Sequence, residues 1–187
     1  QSSGRRMGRM IEDLLDVARV RQTGSMPLQP APSQLSDVVE RAVQELQESA
    51  STGPINVHSQ GDLHGQWDAE RLLQAVSNLL GNAIQHGLPG EPVSVRLDGS
   101  MQDTVVLQIA NAGTIAEGLM AQLFNPFRER HQKPGRNQGL GLGLYIVQQI
   151  VLAHGGNIEV QSRDGHTCFR VQLPRQPAAS GGQGRFK

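Results

Sequence analysis

Three carboxamide side chains, Asn78, Asn82 and Gln85, recur at steps of four and three within the largely apolar stretch Leu72 to His86. Wound at about 100° per residue, this stretch gathers Leu72, Leu73, Val76, Leu79, Leu80, Ala83 and Ile84 on one side and the carboxamides on the other. A helix with only a core to serve ordinarily shows Lys, Glu or Arg to solvent. A carboxamide instead holds an acceptor and donors without net charge, which suits a place where a hard cation and an anionic ligand are met together. For this helix alone, a solvated polar face is an equally good reading. The second such stretch is Gly139-Leu140-Gly141-Leu142-Gly143-Leu144, which runs straight into a helical pattern from Tyr145 to His154. Alternating glycines let a backbone approach an anion closely and leave first-turn N–H groups to bind it. A tight packing turn is the alternative. The spacing is not the dinucleotide fingerprint, since no strand precedes it directly, and no Lys followed by Ser or Thr marks a phosphate-binding P-loop.

Composition narrows the partners. Lys plus Arg equal Asp plus Glu at 17 each, so no excess charge favours nucleic acid or an anionic membrane. Aromatic residues, at 3%, are too few for a base-stacking surface. The single cysteine, Cys168, excludes an internal disulfide and fits a reducing compartment. No apolar run approaches the roughly 18 residues that span a bilayer. A length of 187 residues allows one domain with a sizeable core plus an appendage.

The elements that must position these residues follow from the pattern. Met7, Ile11, Leu14 and Ala18 recur at steps of four, three and four, a seam suited to a coiled coil or bundle, with an amphipathic helix packed on its own domain as the alternative. The helix opens without a capping residue, as expected if the chain is cut inside a longer one. Residues 22–34 read as a Pro-containing linker with room for a short edge strand around Leu28. Ser36 is the expected N-cap of a second helix with Val38, Val39, Ala42, Val43 and Leu46 inward. Alternating runs predict strands at 55–59, 93–98, 105–110, 157–161 and 167–173, with hairpin turns at 99–103 and 163–165. A short helix is expected around Leu119 to Phe124, and residues 125–138 read as a polar, mobile loop. After Pro174 the composition predicts a disordered tail. Strands of a mixed sheet with helices on one face make an α+β two-layer sandwich, preceded by a helical segment.

Four stretches, in order and with matching separations, resemble the catalytic and ATP-binding domain of sensor histidine kinases, within the wider group that includes gyrase, Hsp90 and MutL. Asn78-Leu-Leu-Gly-Asn82-Ala-Ile-Gln-His86 is similar to its N box, and Ile109-Ala-Asn111-Ala-Gly113-Thr-Ile115 to a modified first glycine box. Phe124-Asn-Pro-Phe127 is similar to the F box, and Gly139 to Leu144 to the second glycine box. Thr167-Cys-Phe169 with Leu173-Pro174 fits the final strand, and Arg9 to Arg19 resembles the end of the second dimerisation helix. The resemblance implies the Bergerat ATP-binding fold over residues 35–174, a linker at 22–34, the end of a dimerisation helix at 1–21 and a tail at 175–187.

It also implies roles. Asn82 would give an oxygen to Mg²⁺, with Asn78 bracing the site one turn away. Gln85 stands where many relatives place Lys or Arg toward a phosphate, and His86 where an aromatic often borders the nucleotide. Asn111 would accept from the adenine amino group, Gly113, Ile115 and Thr167 would be further ATP-binding residues, and the glycines and leucines of 139–144 would present N–H groups to the phosphates. The loop before them would be a lid, with Phe127 as anchor and Arg128, Arg130, His131, Lys133 and Arg136 as candidate phosphate contacts, whereas Phe124 reads as structural packing. The implied cofactors are ATP and Mg²⁺. The implied partners are the dimerisation and phosphoacceptor helices of the full-length kinase and a response-regulator receiver domain, with no nucleic acid and no membrane contact. The implied setting is the bacterial cytoplasm, whether the whole protein is soluble or membrane-anchored.

Two departures matter. Relatives carry Asp where this chain has Asn111, and the stretch is about one residue short, which predicts weakened rather than abolished nucleotide binding. None of the six histidines (58, 64, 86, 131, 154 and 166) has a phosphoacceptor context, so the acceptor is expected N-terminal to Gln1 and this chain should not label itself. ATPases of the group place Glu one turn before the metal Asn to activate water. Asn78 occupies that position here and cannot take a proton at neutral pH. The expectation is therefore a histidine kinase domain, with a degenerate nucleotide-binding or docking module as the alternative.

Overall fold

A computed structural model of the chain describes residues 2–49, 53–126 and 141–176. Its elements in chain order are α1 (Ser2–Thr23), β1 (Ala31–Gln34), α2 (Leu35–Ser49), β2 (Ile55–Gly61), β3 (His64–Trp67), α3 (Ala69–His86), β4 (Val93–Gly99), β5 (Thr104–Ala112), α4 (Glu117–Met120), α5 (Gly143–Ala153), β6 (Asn157–Arg163) and β7 (His166–Pro174). The main sheet has the order β2-β4-β5-β7-β6, with β2 parallel to β4 and every other pair antiparallel. β1 and β3 form a separate antiparallel pair.

Period-two alternation puts Val93, Val95, Leu97, Val105, Leu107, Ile109, Phe169, Val171 and Leu173 on one side of the sheet, all buried. Against them lie Val38, Val39 and Ala42 of α2, the apolar stripe of α3, and Ile146, Val147, Ile150 and Val151 of α5. This is the expected α+β two-layer sandwich of a mixed sheet and helices. The β6–β7 turn is set by Asp164 and Gly165, both at positive φ (52° and 79°), the pairing that matches the twist of a tight hairpin.

Several boundaries differ from expectation. The edge strand in the linker lies at Ala31–Gln34 rather than around Leu28, and its partner β3 was not expected. Neither has an alternating apolar pattern, because this small pair is joined through backbone bonds and buries chiefly Trp67, whose Nε1 donates to the Pro174 carbonyl (2.7 Å). The second helix starts at Leu35, itself fully buried, so Ser36 is inside the helix and not its N-cap. The short helix is Glu117–Met120, ahead of the expected Leu119 to Phe124. Beyond Pro174, where a tail was expected, the Arg175 guanidinium donates to the carbonyls of Asp62, His64, Gly99 and Met101 and closes two turns together. Most of the expected mobile loop and residues 177–187 lie outside the described residues.

α1 presents two faces. Asp16, Val17 and Val20 are buried against the domain. Met7, Ile11 and Leu14, from the seam read in the sequence, are 61%, 58% and 43% exposed.

Candidate functional site

α3 is the element on which the site is hung. Asp68 caps it, its carboxylate accepting Arg71 N–H (3.1 Å), and Gly87 closes it with a bond to the Ala83 carbonyl. With the apolar stripe buried, Asn78 and Asn82 are half-buried on the other side, and Gln85 and His86 are exposed in the last turn. Asn78 Nδ2 reaches the Gly143 carbonyl at 3.4 Å, and a β-carbon at Gly143 would sit 3.5 Å from Asn78 Cγ. The carboxamide face therefore meets the start of α5. Gly141, at φ 71°, turns the chain into that helix, a conformation glycine adopts without steric cost. Leu142 is 1% exposed and belongs to the core, and Leu144 packs against it, so neither side chain is turned to the carboxamide face.

The end of β5 comes to the same place. Leu88 N–H donates to the Ala112 carbonyl (3.1 Å), and a β-carbon at Gly113 would lie 3.0 Å from the His86 carbonyl oxygen. Asn111, 5% exposed, pairs in register with Thr167, 3% exposed. Asn111 Nδ2 donates to the Ala112 carbonyl (2.9 Å). Thr167 Oγ1 donates to the Gly113 carbonyl (2.8 Å) and lies 2.9 Å from Ser162 Oγ, which accepts Ile115 N–H (2.7 Å). Ile115 and Phe124 pack on the core. Phe127, Arg128, Arg130, His131, Lys133, Arg136, Gly139 and Leu140 lie outside the described residues.

Ser162 was not foreseen. Nothing in its neighbourhood marks it; only the β6–β7 register, which pairs it with Thr167, brings it to the site.

The opposite end of α3 is made of charges. Asp16 of α1, 3% exposed, accepts from Arg71 (2.7 Å) and from Gln74 (3.0 Å). Asp68 accepts Gln29 N–H from the segment between α1 and β1 (2.8 Å), and Asp68 N–H donates to His154 Nε2 (3.0 Å). His154 Nδ1 donates to the Ile150 carbonyl (2.8 Å), which fixes the neutral tautomer, and burial lowers its pKa against the opposing pull of the carbonyl and Asp68. Burial also pushes the Cys168 thiol up, away from thiolate chemistry at neutral pH.

A family model, the histidine kinase-, DNA gyrase B- and HSP90-like ATPase, matches residues 67–177, well over half of the chain. The chain belongs to this ATPase family. Within the family, its sequence and fold match histidine kinase catalytic domains. It is 35% identical over 182 residues to a bacteriophytochrome of Pseudomonas aeruginosa, covering 96% of this chain and 25% of that protein. It is also 35% identical to the probable sensor histidine kinase TcrY of Mycobacterium tuberculosis, covering 92% of this chain and 36% of that one. The chain thus spans about a quarter to a third of the length of these curated relatives. Among solved structures, the mycobacterial sensor histidine kinase MprB superposes with a TM-score of 0.69 at 28% identity, over 80% of this chain and 100% of that one. Full-length ShkA in complex with AMPPNP shares the fold, with a TM-score of 0.71 at 24% identity over 92% of this chain and 36% of that one. No described helix is long and apolar enough to cross a membrane.

Proposed function

We propose that this ATPase-family domain holds ATP with Mg²⁺ for transfer of the γ-phosphoryl group to a histidine of a sensor kinase's dimerisation helices. The observation that carries this reading is the meeting of Asn78 with the Gly143 carbonyl, which brings uncharged oxygen donors and a glycine-opened helix start to one place. The donor set fits a magnesium–phosphate pair. No group of three or more His, Cys, Asp or Glu side chains stands together among the described residues, so a metal held here would share carboxamide oxygens with phosphates and water, as Mg²⁺ does. Asn82 would hold the metal and Asn78 would brace it. The metal would neutralise phosphate charge, and the chain's own residues would bind and orient the nucleotide. Asn78 is no general base, which favours transfer over hydrolysis by this chain.

The remaining assignments belong to the same proposal. Gln85, His86, Phe127, Arg128, Lys133, Gly139 and Leu140 complete the nucleotide contacts. Residues 1–21 end a second dimerisation helix, 22–34 link it to a catalytic domain over 35–174, and 175–187 follow that domain. A receiver domain is the downstream partner, and the setting is cytoplasmic. The exposed Met7, Ile11 and Leu14 support the dimerisation role, since a packed helix partner would cover them.

A second reading is a regulatory module that has lost kinase activity, favoured by Asn111 in place of a carboxylate. Incubating the chain with a separately supplied dimerisation and phosphoacceptor domain and γ-labelled ATP separates the two. Acid-labile label on the added domain supports transfer, and nucleotide binding without label supports the module.

A further inference from the structure

The sheet has a second face, turned away from α2, α3 and α5, and its residues follow from the same alternation. β5 is the central strand of the five. Where Val105, Leu107 and Ile109 enter the core, Val106, Gln108 and Ala110 point the other way. None of these three is charged, and Ala110 is small, so they make a low floor. On the Gln108 rung the register sets Arg96 of β4 on one side and Arg170 of β7 on the other. Two strand spacings, about 10 Å, separate their Cα atoms. The acids of this face are turned elsewhere. Glu159, opposite Arg170 in register, accepts from Asn157 Nδ2 (3.1 Å). Asp98, one rung away, accepts Ser100 N–H (2.9 Å). Among the described residues neither Arg96 nor Arg170 belongs to an ion pair. Cys168 lies on the following rung, opposite Ala110, and the charges of Arg170 and Arg96 pull its pKa down against the burial that raises it. The field of Arg96 thus reaches across β5 to a side chain of β7. The result is a shallow trough with a neutral floor and a guanidinium on either wall.

We propose that this trough is a docking site for an acidic protein segment, one of whose carboxylates is held between Arg96 and Arg170. Arginine's planar fork matches a carboxylate, and two forks from opposite walls fix where it sits. A free anion is a poor occupant, because an exposed ion pair on an open face contributes little by itself. A segment adds contacts along β5 and reaches the next positive group. The charges also give the trough a direction. Asp98 flanks its Val106 end, whereas Arg163 and His166 stand on the Ala112 rung beyond the other end. Gln108 and Ala112 are about 13 Å apart along an extended strand, so an extended segment with acids about four residues apart meets both positive rungs. Three arginines are too few for nucleic acid or an anionic membrane, which are gripped through longer runs of basic residues, and the chain's charges balance at 17 each. The trough lies on the side of the sheet opposite α3. The proposal therefore goes beyond the nucleotide reading and stands without it.

The test titrates the 187-residue chain into fluorescein-labelled hexaglutamate, read by anisotropy, with hexaglutamine as the uncharged control. Cys168 is the single cysteine, so its alkylation by neutral iodoacetamide reports whether the peptide lies on this face. Hexaglutamate should bind and slow that alkylation, and hexaglutamine should do neither. Arg96→Gln and Arg170→Gln should each raise the Kd about fivefold, the upper range for an exposed ion pair, and the double variant should lose the protection of Cys168. If the double variant does not fold, Arg96→Lys with Arg170→Lys carries the test: charge and stem are kept, the fork is not, and weaker binding is expected. Arg41→Gln, on α2 and already paired with Glu45 and Glu70, should bind like the parent. Equal weakening by Arg41→Gln would reduce the effect to net charge and overturn the inference. Parent-like binding by the double variant, or no binding of hexaglutamate at all, would overturn it too. Equal protection of Cys168 by inorganic phosphate would make this a small-anion site and remove the segment. Arg96-dependent binding to phosphatidylserine vesicles without binding to hexaglutamate would give the face to a membrane instead.

Discussion

The two ends of α3 solve opposite problems with different chemistry. Its first turn is a knot of ionised and ionisable groups, in which Asp16, Arg71, Asp68 and His154 each find a partner within the protein. Its later turns carry Asn78, which reaches the start of α5, and Asn82, and end beside the rung Asn111–Thr167–Ser162; none of these carries a charge. Charges satisfied at home fix geometry, here the seat of α1 and of Gln29 against the start of α3. Uncharged amides and hydroxyls with lone pairs to spare can exchange water for a ligand at little desolvation cost. One helix thus carries a fastening of charges at one end and uncharged carboxamides at the other.

Substitutions at each end should move different quantities. The largest effect is expected for Asn82→Ala: a rise of about 100-fold in the Kd for Mg-ATP by calorimetry, the upper range for disturbing a metal's surroundings, with the ligand-free melting temperature nearly unchanged. Asp16→Ala should do the reverse. Leaving Arg71 and Gln74 without their buried acceptor should lower stability by about 2 kcal/mol in urea unfolding, below the full cost of a broken buried pair because Arg71 is 20% exposed, while the Kd holds. A shifted Kd there would break the separation of roles.

Asn111→Asp sharpens the comparison, because it brings charge to the uncharged end. A carboxylate accepting from adenine should tighten Mg-ATP about fivefold, close to 1 kcal/mol, while losing the donor to Ala112 should lower the ligand-free melting temperature. The smallest effect is expected from His154. Its folded pKa lies below the ordinary 6.5, so the unfolded chain binds more protons. Its contribution to stability is complete above that ordinary value and is lost as pH falls through the folded pKa. Thermal melts from pH 7.5 to 5 should show a fall that is shallower in His154→Gln.

How much of this was legible in the sequence depended on whether a feature was local. The stripe of α3 and the alternation of β4, β5 and β7 are local periodicities, and the structure buries the residues they select. The carboxamides and the glycine run were likewise visible, since each declares itself within one turn or loop. Ser162 was not, because its meaning lies in the residue across the strand. Nor were β1 and β3, whose pairing joins segments some thirty residues apart, or Arg175, whose carbonyl partners come from two distant turns. The seam of α1 was legible, but the burial of Asp16 beside it was not: a carboxylate reads as solvated until Arg71 arrives from elsewhere in the chain.

The most direct test of the account is the melting temperature of the chain with ATP, in Mg²⁺ and in excess chelator. A ligand that binds only the folded state adds about 2.7 kcal/mol at 100 times its Kd. A clear rise in Mg²⁺ that largely vanishes on chelation is expected. An equal rise with and without the metal, or none in either, would contradict the claim that the uncharged end of α3 receives a metal-bound triphosphate.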